Sequence, residues 1–99
     1  MTIKRLILVT AKHHPSDKFF KEVLEEVSIK LGVQKEIKEE DYIFANTYGE
    51  KDEFGFAWLP QLFAEYEDGT IKPLITQIPL DKNLSPDKEA AIREVLSKV

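Results

Sequence analysis

Phe54–Gly69, FGFAWLPQLFAEYEDG, is the stretch on which the fold turns. Pro60 has no N–H to give to a sheet ladder, and a proline is tolerated where a strand opens. Gln61–Tyr66 then runs as a mixed apolar strand, and Asp68-Gly69 is a two-residue hairpin signal. Thr70–Ile78 is predicted to return as the antiparallel partner. Upstream, Ile3–Thr10 holds Leu6, Ile7, Leu8 and Val9 in succession, the pattern of a strand buried on both faces.

Between these strands the period changes. Phe20, Val23, Leu24, Val27 and Leu31 recur at helical spacing, with Lys21, Glu22, Glu25 and Glu26 on the opposite face. Pro15, Ser16 and Asp17 mark the helix start. Either Ser16 is the N-cap, or His14 is and Pro15 takes the first helical position. Gly32 is the stop. Val33–Lys38 reads as a short strand whose Lys and Glu suit a sheet edge. Residues 39–53 are ambiguous. Tyr42, Ala45 and Tyr48 can share one face of a short irregular helix, which Gly49 interrupts. Ser85-Pro86-Asp87 supplies an N-cap, a first-turn proline and a first-turn acid. Ile92, Val95, Leu96 and Val99 then form one apolar face. The first two strands, joined through a helix, are expected to be parallel with a right-handed crossover.

Ninety-nine residues bound the chain to one domain, 1–99, with one modest core. A net charge of -4 argues against a broad nucleic-acid footprint. The absence of cysteine excludes disulfides, thiolate metal sites and cysteine nucleophiles. The N-terminal MTIKRLILVTAKHH has no small-residue cleavage pattern and is far too short to span a bilayer, so no membrane association is expected and a cytoplasmic location is the default.

The order of elements, and the residues at the turns, resemble the thioredoxin superfamily over most of the chain. In that family a proline preceded by a cis peptide opens the third core strand, and Leu59-Pro60 stands in that position. A glycine five residues earlier is common there, and Gly55 fits. The resemblance implies an α/β thioredoxin-like fold, a four-stranded mixed sheet flanked by helices. The family's Cys-x-x-Cys site falls on His13-His14-Pro15-Ser16: the proline is kept and both sulfurs are gone. Lys12 replaces the tryptophan before the first cysteine, and Ile7 replaces the buried acid six residues before it. Thiol–disulfide exchange needs an attacking thiolate, so the implied protein is redox-inactive.

The same positions define the candidate site: His13, His14, Pro15, Ser16, Trp58, Leu59 and Pro60. Adjacent histidines in extended chain point apart and lack a third ligand; Asp17 is the nearest local oxygen donor. Exposed, functionless histidines are the simpler reading. Ser16 beside a histidine suggests a hydrolase, but no acid orients the base, and capping accounts for Ser16. Phe56, Trp58 and Leu59 either close the core beneath the loop, or Trp58 lines a shallow groove. In the family the residue before the cis proline pairs its backbone with an extended peptide, a strand-addition mode, and Leu59 would make that contact here. Glu36, Glu39, Glu40 and Asp41 form an acidic run that reads as solvated surface, without the glycine and alternation of a calcium loop.

The leading expectation is a redox-inactive module that binds a protein or extended peptide beside Pro60, with no cofactor. Two alternatives stand beside it. One is a metal or enzymatic site at His13, His14 and Ser16. The other is a homo-oligomer subunit whose interface is the Phe56/Trp58 surface.

Overall fold

The apolar run that opens the chain becomes the central strand, and its two faces are covered by different helices. The computed structural model describes residues 2–99. In order, the elements are β1 (Ile3–Thr10), α1 (Asp17–Leu31), β2 (Gln34–Glu39), α2 (Tyr42–Tyr48), β3 (Gln61–Tyr66), β4 (Ile71–Ile75) and α3 (Lys88–Lys98). The strands form one mixed sheet in the order β2-β1-β3-β4. β1 runs parallel to β2, with Leu8 opposite Ile37, and antiparallel to β3, with Leu8 opposite Leu62. β4 lies antiparallel to β3 at the far edge, and Pro73 is tolerated there because an edge strand can spare a ladder donor.

Side-chain alternation along β1 splits the interior into two clusters. Leu6 and Leu8 join Leu62, Ala64 and Leu74 beneath α1 and α3, which supply Phe20, Val23, Leu24, Val27, Ile92 and Val95. Ile7 and Val9 join Phe63, Leu59 and Ala45 on the other face. That smaller cluster is covered by α2, whose Phe44 meets Phe63 edge to face with centroids 5.2 Å apart. α2 is only two turns long, and it leaves Tyr42, Ile43 and Tyr48 exposed. Arg5 of β1 lies between Glu36 of β2 (3.4 Å) and Glu65 of β3 (2.7 Å), a ladder of ion pairs across three strands.

The boundaries follow local chemistry. α1 ends where Gly32 turns left-handed (φ 66°), letting the Gly32 and Val33 N–H groups reach the carbonyls of Ile29 and Ser28. β2 is the edge strand its charges suggest. Residues 39–53 do contain a short helix, capped by the Asp41 carboxylate, which accepts from the Phe44 N–H at 3.0 Å, but it turns Phe44 and Ala45 to the sheet and leaves Tyr42 and Tyr48 exposed instead of sharing one face with Ala45.

Four local expectations need correction. Ser16 occupies the N-cap position of α1, but its side chain makes no cap hydrogen bond. The β3–β4 turn has three residues rather than two: Tyr66 bonds to Thr70 across Glu67-Asp68-Gly69, and Asp68 accepts from the Thr70 N–H. β4 is shorter than Thr70–Ile78, since the chain leaves the sheet after Ile75. The cap of α3 is Asp87, not Ser85; its carboxylate accepts from the Ala90 N–H at 3.0 Å. Ser85 is drawn instead into a turn in which Asp81 accepts from the Asn83 and Ser85 N–H groups. A carboxylate also suits the positive end of the helix dipole better than a hydroxyl. Among the described residues, no helix is long and apolar enough to cross a membrane.

The link from α2 to β3 is held by one buried amide. Gln61 is fully buried. Its Nε2 donates to the Glu50 carbonyl (2.9 Å) and the Trp58 carbonyl (2.8 Å), and its Oε1 accepts from the Glu50 N–H (2.9 Å). Gly49 lies so close that a Cβ there would sit 2.5 Å from Gln61 Oε1 and 2.7 Å from the Ala45 carbonyl oxygen. Gly49 is in extended backbone (φ −91°, ψ −179°), so its glycine serves the close approach, not a special dihedral. Gln61→Ala is expected to lower stability by about 2–4 kcal/mol, because it strips partners from buried backbone groups. Gly49→Ala is expected to lower it by about 1–3 kcal/mol through overpacking. Urea unfolding of both variants checks this. Wild-type midpoints in both would remove the amide from its structural role.

Candidate functional site

Three segments converge at the end of the sheet where β1 stops and β3 starts. The first is the turn from β1 into α1. The His14 N–H donates to the Ala11 carbonyl and the Asp17 N–H to the His14 carbonyl, so residues 11–17 form a tight turn ahead of the helix. The Ser16 N–H donates to His14 Nδ1 at 3.0 Å. An accepting Nδ1 puts the proton of a neutral ring on Nε2. Behind this turn, the buried Thr10 hydroxyl donates to Asp17 Oδ1 at 2.8 Å, and Lys21 pairs with the same carboxylate at 3.0 Å.

The second segment is the approach to β3. The Leu59–Pro60 peptide is cis. The side chains of Leu59 and Pro60 are buried. Trp58 is half-buried, and its indole Nε1 donates to the Thr76 carbonyl at 2.8 Å. The third segment is Thr76-Gln77-Ile78, beyond β4, which that indole bond ties down. Together they enclose a groove of about 350 Å³ lined by His14, Ser16, Phe20, Trp58, Leu59 and Pro60, with Thr76–Ile78 as the facing wall. Leu59 lines the groove, and neither its N–H nor its C=O is committed to another described residue.

Five of the seven sequence candidates meet here: His14, Ser16, Trp58, Leu59 and Pro60. His13 and Pro15 are exposed and lie outside the groove. Trp58 is half-buried and lines the groove, and it is not among the residues packed into either core cluster. Phe56 lies outside the groove; it is 66% exposed and closes no core. Among the described residues no group of three His, Asp or Glu side chains is gathered as a metal ion would need. No acid among the described residues hydrogen-bonds the His14 ring, since the nearby Asp17 carboxylate is held by Thr10 and Lys21, and its Nδ1 is taken by a backbone N–H, not by the Ser16 hydroxyl. Phe20 and Thr76–Ile78 are wall residues that the sequence did not single out. Phe20 reads as core by its period, and residues 76–78 read as strand.

No protein-family model matches this chain, and no curated protein or solved structure matches it either.

The Thr10–Asp17 pair fixes how α1 leaves β1. Burial pushes the Asp17 carboxyl up, but the hydrogen bond from Thr10 and the ammonium of Lys21 outweigh it and hold the group below its ordinary value of 3.8. A carboxyl depressed in the folded state contributes stability that is present above its unfolded pKa and is lost as pH falls through the folded one. Thr10→Val removes a charge-assisted bond and is expected to cost about 1–2 kcal/mol at neutral pH. The difference from wild type should narrow below about pH 4, as the carboxylate protonates in both proteins. Denaturant unfolding at neutral and acid pH measures this. A gap independent of pH would show that the bond does not depend on the charge.

Proposed function

We propose that this chain is a thioredoxin-like domain without thiol chemistry, and that it binds an extended polypeptide in the groove beside Pro60. The sheet order β2-β1-β3-β4, with one parallel and two antiparallel pairings, is compatible with that arrangement. With no cysteine in the chain, the groove serves recognition and not disulfide exchange.

The observation that carries the reading is the unpaired backbone of Leu59 beside an apolar groove. An extended segment laid alongside would gain two hydrogen bonds from Leu59, worth about 0.5–1.5 kcal/mol each after desolvation. One of its side chains would enter the space between Trp58, Pro60, Phe20 and Ile78. The backbone bonds carry no sequence information, so selectivity falls to that side chain. A large apolar residue fits the lining; a charged one would be stripped of water without a partner. The contact is small, which suits a transient complex in the micromolar-to-millimolar range, about −4 to −8 kcal/mol.

The test is selection of binding peptides from a random library, followed by titration of the best of them into isotope-labelled protein. The amides of Leu59 and Gln77 and the indole N–H of Trp58 should shift together. Trp58→Ala should weaken binding by about 2 kcal/mol or more, as expected for an aromatic at the centre of a contact. Thermal melts of the variant separate lost binding from lost folding. Trp58→Phe keeps most of the apolar area and should bind better than the alanine variant. Peptides whose shifts fall away from these residues, or a library that yields no binder, would remove the groove from consideration.

A further inference from the structure

A second surface is carried on α2 and the hairpin that follows it; its Glu50 comes near the groove, lining a cleft with Thr76–Ile78. Residues 39–53 carry six carboxylates (Glu39, Glu40, Asp41, Glu50, Asp52 and Glu53) against the single Lys51, a net charge of −5. The whole chain stands at -4, so everything outside this stretch comes to +1. None of these six acids forms an ion pair with a described residue, whereas Glu25 and Glu26 of α1, Glu36 of β2 and Glu94 of α3 pair with lysine or arginine. Three of the six have local duties: Glu39 accepts from the Lys12 N–H, Asp41 caps α2, and Asp52 accepts from the Phe54 and Phe56 N–H groups. Glu40, Glu50 and Glu53 make no hydrogen bond through their carboxylates to any described residue.

The same stretch exposes its large apolar side chains. Ile43 is 82% exposed, Phe54 75% and Phe56 66%, with Tyr42 and Tyr48 each open by more than two fifths. Summed over the five residues, this exposure is on the order of 600 Å². The exposure is held in place. Lys51 bridges to Ala57 to make a small hairpin, Asp52 clamps its tip, and Asn46 of α2 accepts from the Ala57 N–H at 2.8 Å. Two aromatic side chains are thus carried on a braced support beside the outer face of α2.

We infer that this surface docks a basic amphipathic segment of another protein, with apolar residues against Phe54, Phe56 and Ile43 and lysines or arginines against the surrounding carboxylates. Charge complementarity selects this occupant. A second copy would bring a face of −5 against another of −5, and like charges set face to face are repulsive. An anionic lipid surface or a nucleic acid would be repelled for the same reason. A cationic, apolar segment satisfies both features: it covers the rings and supplies the counter-charges that the chain itself leaves out.

The probe is a synthetic amphipathic peptide of leucine and lysine, about 14 residues or four helical turns long. Its controls are the leucine–glutamate isostere and a lysine–serine peptide without an apolar face. The leucine–lysine peptide is expected to bind and to shift amides in residues 42–56, while both controls bind at least about tenfold more weakly. Phe54→Ser with Phe56→Ser leaves the net charge unchanged and should lower affinity at least about tenfold. Glu50→Gln with Glu53→Gln should also weaken binding. Glu67→Gln with Glu89→Gln, the same change in charge elsewhere, should have little effect. Raising the salt from about 0.05 to 0.5 M should weaken the complex. Equal losses in the two carboxylate pairs, or indifference to the phenylalanines, would mean general attraction to an acidic protein and overturn the inference. So would a dimer at low salt that Phe54→Ser with Phe56→Ser disperses, or binding to anionic vesicles that the same pair of changes abolishes.

Discussion

The buried amide of Gln61 is the contact on which the working end of this molecule depends. A primary amide away from water must place its donors and acceptor, or each orphan costs about 1–3 kcal/mol. Gln61 places them on the two polar groups of Glu50 and on the carbonyl of Trp58. One side chain at the first position of β3 thereby anchors both ends of the excursion from residue 50 to residue 58. Gly49 lets the chain pass close enough for those bonds to form, and any Cβ there would meet the amide. The excursion is long, but its ends are fixed to the sheet through a single group.

Two surfaces of different character result. Toward the start of α1, the anchored chain offers Trp58, a Leu59 backbone without an internal partner among the described residues, and an apolar groove. Away from the sheet, the braced hairpin offers exposed rings among unpaired carboxylates. The first suits recognition through backbone hydrogen bonds, which are short-ranged and indifferent to sequence. The second suits recognition through charge, which acts over about 10 Å at ordinary salt and steers encounter before contact. The two do not share residues, so one can be removed while the other is kept.

The turn that leads into α1 is satisfied internally to an unusual degree for a candidate site. Thr10 and Lys21 hold Asp17, the Ser16 N–H occupies His14 Nδ1, and the main chain closes on itself between Ala11 and Asp17. No nucleophile is paired with a base in this arrangement. What the turn contributes to the groove is shape: one edge of an imidazole and a serine on the wall opposite Trp58.

Much of the fold was legible in the sequence. Leu6–Val9 announces a strand buried on both faces, the 3.6-residue period announces α1, and Gly32 its end. Pro60 marks the opening of β3, because an amide without a hydrogen constrains every fold in the same way. These are local signals, written in side-chain period and backbone stereochemistry. Choices between near-equal local partners were not legible. Ser85 and Asp87 are both competent caps, and only the Asp81 turn decided for Asp87. In the stretch 39–53 the apolar positions Tyr42, Ile43, Phe44, Ala45 and Tyr48 crowd into two turns, too short a run to declare which side is buried, and the sheet face takes Phe44 and Ala45. Nor could a sequence show that Gln61, an ordinary polar residue at a strand start, would be the anchor, or that Thr76–Ile78 would leave β4 to form a wall. Such facts depend on which groups are brought within hydrogen-bonding distance after the strands pair, and the partners of Gln61 and Trp58 lie 11 and 18 residues away along the chain. Composition and period determined the layers of this protein; long-range satisfaction of buried polar groups decided where its surfaces for other molecules lie.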